Sequence, residues 1–542
     1  MSIMKVSFVV LCLTCILGIS FFPTAIQTVN IEILVALQYD LPGYSTGAVF
    51  TRPAFNLSQR NSVKKYDGAH NITLRYFQNI SHKSCDEVMA NNVNDLSAYL
   101  YNQQERRNDT CYSIVTNDCN DQSGLSGLAA GLDILMFSYN PGTLFKDYLD
   151  PKSGPQTTVS VGVTSLGYAI AILRLLQYNQ WRRSALLVET TAGFYRDLAT
   201  IVLERAKLSL SWIYLLEVLR LEGGISDHEL QAALETTKQN NRIYILLMTV
   251  KLALRVMQLT EEAGMANGEY AFINVQPFQV AAFGFASQFS RTQNDTTKST
   301  ALRSLIFITY RSPRSDLSEL NSQIAERART LHNYTYPNGI QPLDSSIGTQ
   351  TAYDIVELFA LLVNESSIHR NQLPACNGLS LAERMANRTF SLTTGKMYIS
   401  PGRGRFLDLD VFALNTSTLT LQVIGMYDSG NRTFTWFNGW TIPWPTINGK
   451  PPTDVPACGF SGKEGICAAK ALSSLISTLI AVVACVSILM AFALVTRWFV
   501  LHFNGPTETQ HWKLDGGNLR FAMMTVSATL SEGFYMVFAD RR

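Results

Sequence analysis

The sequence predicts an α/β protein of two lobes anchored by one membrane-spanning helix. Three observations carry that expectation. The middle of the chain alternates apolar strand-like runs with amphipathic helical stretches. A run of 26 uncharged residues, 471–496, follows it. Ten N-x-[ST] sequons are present, and all ten precede that run.

The first 25 residues read "MSIMKVSFVVLCLTCILGISFFPTA". Lys5, an apolar stretch to Phe22 and the small residues at Pro23–Ala25 form the three regions of a secretory signal peptide. Segment 471–496 would span about 39 Å as a helix, more than the roughly 30 Å hydrocarbon core. Together they predict a type I plasma-membrane protein with its N-terminus outside and residues 497–542 as a short cytoplasmic tail. Arg497, Lys513, Arg520, Arg541 and Arg542 give that tail a modest positive bias. The sequons lie at Asn56, Asn71, Asn79, Asn108, Asn294, Asn333, Asn364, Asn387, Asn415 and Asn431. Their placement fits a glycosylated ectodomain. The net charge of +2 gives no field pointing to nucleic acid.

Of nine cysteines, Cys12 and Cys15 leave with the signal and Cys485 lies in the span, so six remain outside. An even number in an oxidising compartment predicts three disulfides. Cys458–Cys467 is the most direct pair, because the loop is short and Gly459, Gly462 and Gly465 permit sharp turns. Closing it stabilises by roughly 2–3 kcal/mol in the chain-entropy model.

Along the ectodomain, "IEILVALQY", "NITLRYFQ", "CYSIVT", "SALLVE", "SWIYLLEV", "RIYILLM" and "EYAFINV" read as strands, and "DILMFSY" is a further apolar run. "VTSLGYAIAILRLLQYNQW", "GFYRDLATIVLERAK", "SDHELQAALETTKQ" and "TVKLALRVMQLTEEAGM" have helical spacing, with Ser226 as an N-cap. Repeated β-α-β units imply parallel sheets covered by helices. About 400 residues exceed one such sheet, which gives two lobes. "KMYIS", "RFLDLDVFAL", "LTLQVIGMY" and "RTFTWF" alternate like antiparallel additions.

Phosphate-loop, zincin and nucleophile-elbow motifs are absent from the sequence, and its seven histidines lack metal spacing. No cofactor is expected. "GLSGLAAG" (124–131) does not fit the dinucleotide fingerprint and reads as a loop opening a helix. "LDLD" (407–410) places Asp408 and Asp410 on one strand face, as a carboxylate pair or simply an exposed face. Binding is the better class. In doubly wound sheets, ligands sit beyond the carboxyl ends of the strands. That marks Ser138, Tyr139 and Asn140 after one strand and Glu189 after another. The same residues would serve equally as turn and helix caps.

"PPTDVPACGFSGKEGIC" before a single span resembles the juxtamembrane signature of receptor guanylyl cyclases, including natriuretic peptide receptors. "LTEEAGMANGEYAFINVQPF", "TAYDIVELFALLVNE", "MANRTFSLTTGKMYISPGRGRFLDLDVFAL" and "LQVIGMYDSGNRTFTW" resemble further family segments in the same order. The resemblance implies a two-lobed ectodomain of the type I periplasmic-binding-protein fold that dimerises and binds a peptide or small ligand. It assigns 29–456 to the ectodomain: lobe 1 about 29–142 and 272–392, lobe 2 about 143–271 and 393–456. Residues 457–470 form a juxtamembrane disulfide loop coupling ectodomain to span. Ser473, Ser477 and Ala481 recur every four residues, a small-residue stripe that would let two helices approach. "TNDC" (116–119) stands at the family's Gly-Pro-x-Cys loop, which implies Cys85–Cys119, with Cys85–Cys111 as the competing pair. The missing Gly-Pro puts the chloride site of some members in doubt. "WKLDGGNLRF" (512–521) resembles the lead-in to a kinase-homology domain, but no kinase or cyclase motif follows in the sequence. The expectation is a receptor acting as decoy, clearance or dominant-negative subunit. The alternative is a truncated form of a complete receptor guanylyl cyclase that converts GTP to cyclic GMP.

Overall fold

The computed structural model describes residues 28–503, except 40–46, 80, 83, 104–109, 117–122, 140–155, 163, 210–211, 278–282, 290–298, 312–315, 337–340, 346, 369–375, 438–441, 447, 462–463 and 465. The expected signal segment and the residues beyond 503 lie outside these residues. Two compact units result, 1–462 and 463–542.

The first unit begins with β1 (Val29–Ala36), α1 (Ala48–Lys65), β2 (His70–Phe77), α2 (Cys85–Asn102), β3 (Thr110–Val115), α3 (Ser123–Gly131), β4 (Leu135–Ser138) and β5 (Thr158–Ser160). These strands form a five-stranded parallel sheet ordered β2-β1-β3-β4-β5. Its central strands carry near-continuous apolar runs because helices cover both faces. On one face Leu34, Ile114 and Met136 meet Val88 and Leu96 of α2 and Leu125 of α3.

Next come α4 (Ser165–Tyr178), β6 (Arg183–Glu189), α5 (Gly193–Lys207), β7 (Leu215–Leu221), α6 (Asp227–Lys238), β8 (Ile243–Leu247), α7 (Val250–Glu262), β9 (Ala271–Val275) and β10 (Leu305–Tyr310). The second sheet runs β16-β15-β14-β10-β9-β8-β6-β7. Its parallel part, β7-β6-β8-β9-β10, repeats the strand order of the first sheet. Helices α4 and α5 cover one face, α6 and α7 the other. Ser226 caps α6 in a capping box with Glu229, as its position before the apolar periodicity predicts.

The chain then returns to the first lobe with α8 (Ser318–His332), α9 (Ile347–Ile368) and α10 (Gly378–Met385). Leu320, Ile324, Phe359 and Leu381 pack with Phe55 of α1 on the second face of the first sheet. A small antiparallel sheet follows: β11 (Arg388–Leu392), β12 (Gly395–Ile399) and β13 (Arg405–Phe406). Finally β14 (Leu409–Asn415), β15 (Thr420–Asp428) and β16 (Thr433–Trp436) extend the second sheet antiparallel.

The lobe boundaries differ from those expected. β5 belongs to the first sheet, so lobe 1 reaches Ser160. β9 and β10 pair in series with β8, so lobe 2 runs to about Tyr310. Met397 and Ile399 of β12 pack in the first core, so lobe 1 extends past 392. Pairing that buries apolar runs on both faces, not chain position, decides these memberships. "GLSGLAAG" lies within helix α3 rather than in a loop before it. A Cβ on Gly124 would lie 3.1 Å from Val93 of α2, so the glycine permits close helix contact.

A strap after β16 lies along the second lobe. Trp444 packs edge-on against Trp181, with ring centroids 6.1 Å apart. Trp181 Nε1 donates to the Pro452 carbonyl at 2.7 Å, and Asp454 accepts the backbone N–H groups of Arg182 and Arg183. Gly268, at φ +89°, allows Pro445 to approach, since a Cβ there would sit 2.7 Å from its carbonyl oxygen. Arg183 and Arg242 lie over the ring of Phe460.

The second unit contains helix α11 (Ile466–Phe503), 38 residues long. Ile476–Phe503 is long and apolar enough to cross a membrane. The helix passes the expected end at Thr496 because Trp498–Leu501 continue the apolar run beyond Arg497. A single arginine near a helix end can extend its head to the interface.

Candidate functional site

Both sheets have the doubly wound order, so each has a switch point, β1/β3 in the first lobe and β6/β8 in the second. Crevices beyond the carboxyl ends of strands at such points are the usual ligand sites of this architecture.

At the first edge, Ser138 closes β4 and is fully buried, and Tyr139 is buried beside it. The Tyr139 hydroxyl donates to the Gly348 carbonyl at 3.3 Å, near the start of α9. The Ser138 carbonyl accepts the Val161 N–H at 2.9 Å. Gly162 is obligatory here, because a Cβ would fall 1.7 Å from the Tyr139 carbonyl oxygen. These two residues build the edge from within. Asn140 lies outside the described residues.

At the second edge, Glu189 ends β6 half-buried. Its carboxylate accepts the Thr249 N–H at 2.7 Å and the Thr191 hydroxyl at 3.3 Å. It thus spans the β6/β8 switch point and faces the N-terminus of α7, where the helix dipole favours an anion. Nearby the Tyr195 hydroxyl donates to Gln276 Oε1 at 2.6 Å, and Gln276 Nε2 donates to the Met248 carbonyl and to Asn274 Oδ1. Burial, with the Glu189 charge behind it, holds the Tyr195 phenol well above its ordinary range. Tyr168, Phe194, Tyr195 and Phe283 form an edge-to-face aromatic cluster around this network. The sequence signal for it is Asn274, a polar residue inside the buried strand "AFINV".

Ser138 and Tyr139 therefore belong to one lobe and Glu189 to the other. The chain passes between the lobes after β5 ends at Ser160, after β10 ends at Tyr310 and again between β13 and β14. At this junction Arg405 Nη1 lies 3.4 Å from Asp354 Oδ2 and donates to Thr351 Oγ1 at 3.2 Å. The Thr164 hydroxyl donates to the Arg405 carbonyl at 2.8 Å.

The expected aspartate pair is structural. Asp408 accepts the Ser429 N–H and hydroxyl, both at 2.9 Å. Asp410 lies 3.9 Å from Arg311, and burial raises its carboxyl to about 6, with Arg311 opposing and Asp408 adding. Among the described residues no group of three or more His, Cys, Asp or Glu could hold a metal ion.

Cys111 of β3 is bonded to Cys376, just before α10, with Cα atoms 5.3 Å apart. That excludes the competing pair Cys85–Cys111, because one sulfur forms one disulfide. Cys85 and Cys458 are also disulfide-bonded. Cys119 and the side chain of Cys467 lie outside the described residues, as does the side chain of Ser473.

Of the sequons, Asn71, Asn79, Asn333, Asn387 and Asn431 are exposed. Asn56 is half-buried inside α1, where Oδ1 accepts the Tyr76 hydroxyl at 2.7 Å. Asn364 is half-buried inside α9, and Asn415 is half-buried at the end of β14. Asn108 and Asn294 lie outside the described residues.

The sequence model of the family described as "receptor family ligand binding region" matches residues 53–417. The receptor-type guanylate cyclase gcy-28 of Caenorhabditis elegans is 29% identical over 251 residues, covering 43% of this chain and 19% of that protein. Human atrial natriuretic peptide receptor 2 is 24% identical over 44% of this chain and 23% of its own length. Rat atrial natriuretic peptide receptor 3 is 22% identical over 59% of this chain and 58% of its own length. The match thus spans about a fifth of the first two relatives and just over half of the third. The matched region covers most of both doubly wound lobes, and the chain belongs to the receptor ligand-binding-region family shared by guanylate cyclase receptors and natriuretic peptide receptors.

Proposed function

We propose that the chain is a single-pass plasma-membrane receptor whose two-lobed region lies outside the cell and binds a peptide or small ligand. The observation that carries this is the repeated strand order, which sets one switch point in each of the two lobes that the family match largely covers. Glu189 and the Tyr195–Gln276 network supply polar groups at one strand edge. Tyr139 shapes the other. The chain acts as a dimer, with itself or a relative, in a decoy, clearance or dominant-negative role.

A second reading makes the sequence part of a longer receptor guanylyl cyclase. Its support is the match to gcy-28 and the kinase-like lead-in "WKLDGGNLRF". Transcript sequencing past the codon for Phe521 separates the two readings. An in-frame kinase-like and cyclase-like continuation favours the enzyme, and a confirmed stop after Arg542 favours the binding subunit.

The receptor role is tested on intact cells expressing the full chain, using radioiodinated atrial natriuretic peptide as the probe for the peptide class. Saturable binding above untransfected cells, weakened by Glu189→Ala, is expected. Binding indistinguishable from untransfected cells, with the chain present at the surface, would overturn the peptide-ligand form of the proposal.

A further inference from the structure

The strap fixes which end of lobe 2 the chain leaves from. The ring centroid of Phe460 lies 5.7 Å from the Arg183 guanidinium carbon and 5.2 Å from that of Arg242. Arg183 opens β6, and Arg242 directly precedes β8. Arg242 also lies 4.6 Å over the ring of Tyr270, directly before β9. All three stand at the amino ends of parallel strands, opposite the end that carries Glu189. The chain departs for α11 from this amino end.

The same end carries exposed apolar side chains. Leu215 is the first residue of β7, the outermost strand of the sheet, and is 49% exposed. Ile213, just before the strand, is 71% exposed, and Val455 of the strap is 40% exposed. Tyr214 turns inward, its hydroxyl donating to the Leu173 carbonyl at 3.1 Å, so its two neighbours face out. One short segment holds these residues together. Asp454 accepts the Arg182 and Arg183 N–H groups, and the Leu215 N–H donates to the Arg182 carbonyl at 2.6 Å. The Arg182 guanidinium lies 4.7 Å over the Trp212 ring.

Apolar residues exposed singly need no explanation. Here three surround one segment, beside a stacked Trp–Arg pair, at the end from which the chain continues to its apolar helix. Rings and long basic stems of this kind settle at a lipid headgroup boundary, where apolar parts are covered and polar tips stay wet. The chain between Phe460 and the apolar segment that begins at Ile476 can extend no more than about 35 Å, six residues of link and then helix. None of the ten sequons falls between residues 109 and 293, so no N-glycan is encoded on β6, β7, β8 or β9 to hold this end off a bilayer.

We propose that the amino-terminal end of the lobe 2 strands rests on the lipid surface of the membrane that the chain spans, through Trp212, Ile213, Leu215 and Val455. The inference rests on the single-span reading above. It adds a second membrane contact, made by the folded lobe itself.

The test uses the full chain in nanodiscs of phosphatidylcholine carrying a nitroxide either near the headgroup or at the acyl-chain end. A nitrobenzoxadiazole label on Cys485 reports the span. In a Cys485→Ser background the label is placed by Ile213→Cys or, as a control on lobe 1, by Leu331→Cys, since Leu331 is 45% exposed. Chain-end nitroxide should quench the label on Cys485. Headgroup nitroxide should quench the label at 213 and leave that at 331 unchanged. Leu215→Asp should relieve the quenching at 213, and so should Val455→Asp, which lies outside the sheet and does not depend on strand pairing. Quenching at Cys485 without quenching at 213 would overturn the inference and leave the single span standing. No quenching at Cys485 would overturn both. Equal quenching at 213 and 331, or quenching at 213 that survives both aspartate variants, would also overturn it. A label at 213 shielded from aqueous iodide but untouched by lipid nitroxide would assign the surface to a second copy of the chain instead.

Discussion

Asp354 of α9 and Arg405 of β13 form an ion pair 3.4 Å apart, with only 1% and 3% of their side chains exposed. Arg405 also donates to Thr351, and its own carbonyl accepts from Thr164, so the pair ties both lobes at their junction. Removing one member of a buried pair leaves the other charge unpaired in low dielectric. Arg405→Met should therefore cost about 3–5 kcal/mol in chemical denaturation. Burial, opposed by Arg405, holds the Asp354 carboxyl up at about 6. A carboxyl raised in the folded state favours folding at low pH. Its contribution is complete below the unfolded value of 3.8 and is lost as pH rises through about 6. Asp354→Asn lacks that dependence. Wild type should therefore gain on this variant as pH falls from 7 to 4, by up to about 3 kcal/mol. An unchanged difference across that range would remove Asp354 as the titrating group.

The strap is the second point of leverage. Asp454→Ala frees two backbone N–H groups and Trp181→Phe removes the bond to Pro452. Each should lower stability by about 1–2 kcal/mol. Hydrogen exchange should accelerate at Arg182 and Arg183 in Asp454→Ala but not at the distant strand β1. Uniform acceleration would mean that the strap is simply part of the global fold.

Peptide mapping under non-reducing conditions should recover Cys111 joined to Cys376. The same map should join Cys85 to Cys119 and Cys458 to Cys467. In the chain-entropy model the long loop closed by Cys111 and Cys376 contributes about 5 kcal/mol. Cys376→Ser should lower Tm accordingly, and an unchanged Tm would show that the bond constrains little.

Glu189 can act as a helix partner, a ligand contact or both, and two substitutions separate these. Glu189→Gln keeps an oxygen for the Thr249 N–H and should change Tm little. Glu189→Ala removes that acceptor and should cost about 1 kcal/mol. Peptide binding that falls equally in both variants marks a contact requiring the charge.

Much of the second sheet was legible. "SALLVE", "RIYILLM" and "EYAFINV" are buried strands because an apolar run between helical stretches has few other solutions. "LIFITY", β10, carries the same apolar signal, although polar sequence on both sides sets it apart from the β-α-β pattern. Lobe membership was not legible beyond β8, since strand order depends on pairings that local sequence does not encode. Glu189 was readable as the acid ending an apolar strand. Ser138 shares that position, yet β5 and the close approach of Gly162 bury it.

The proposed receptor role requires that the two-lobed region lie outside the cell in the fold described. Site-specific glycan occupancy tests both parts at once, by mass spectrometry of the full chain from animal cells after enzymatic release in heavy-oxygen water. The exposed sites Asn71, Asn79, Asn333, Asn387 and Asn431 should carry glycan, while Asn56 inside α1 and Asn364 inside α9 should not. Absence of glycan at every site would contradict the topology. Occupancy at Asn56 equal to that at Asn79 would contradict the fold.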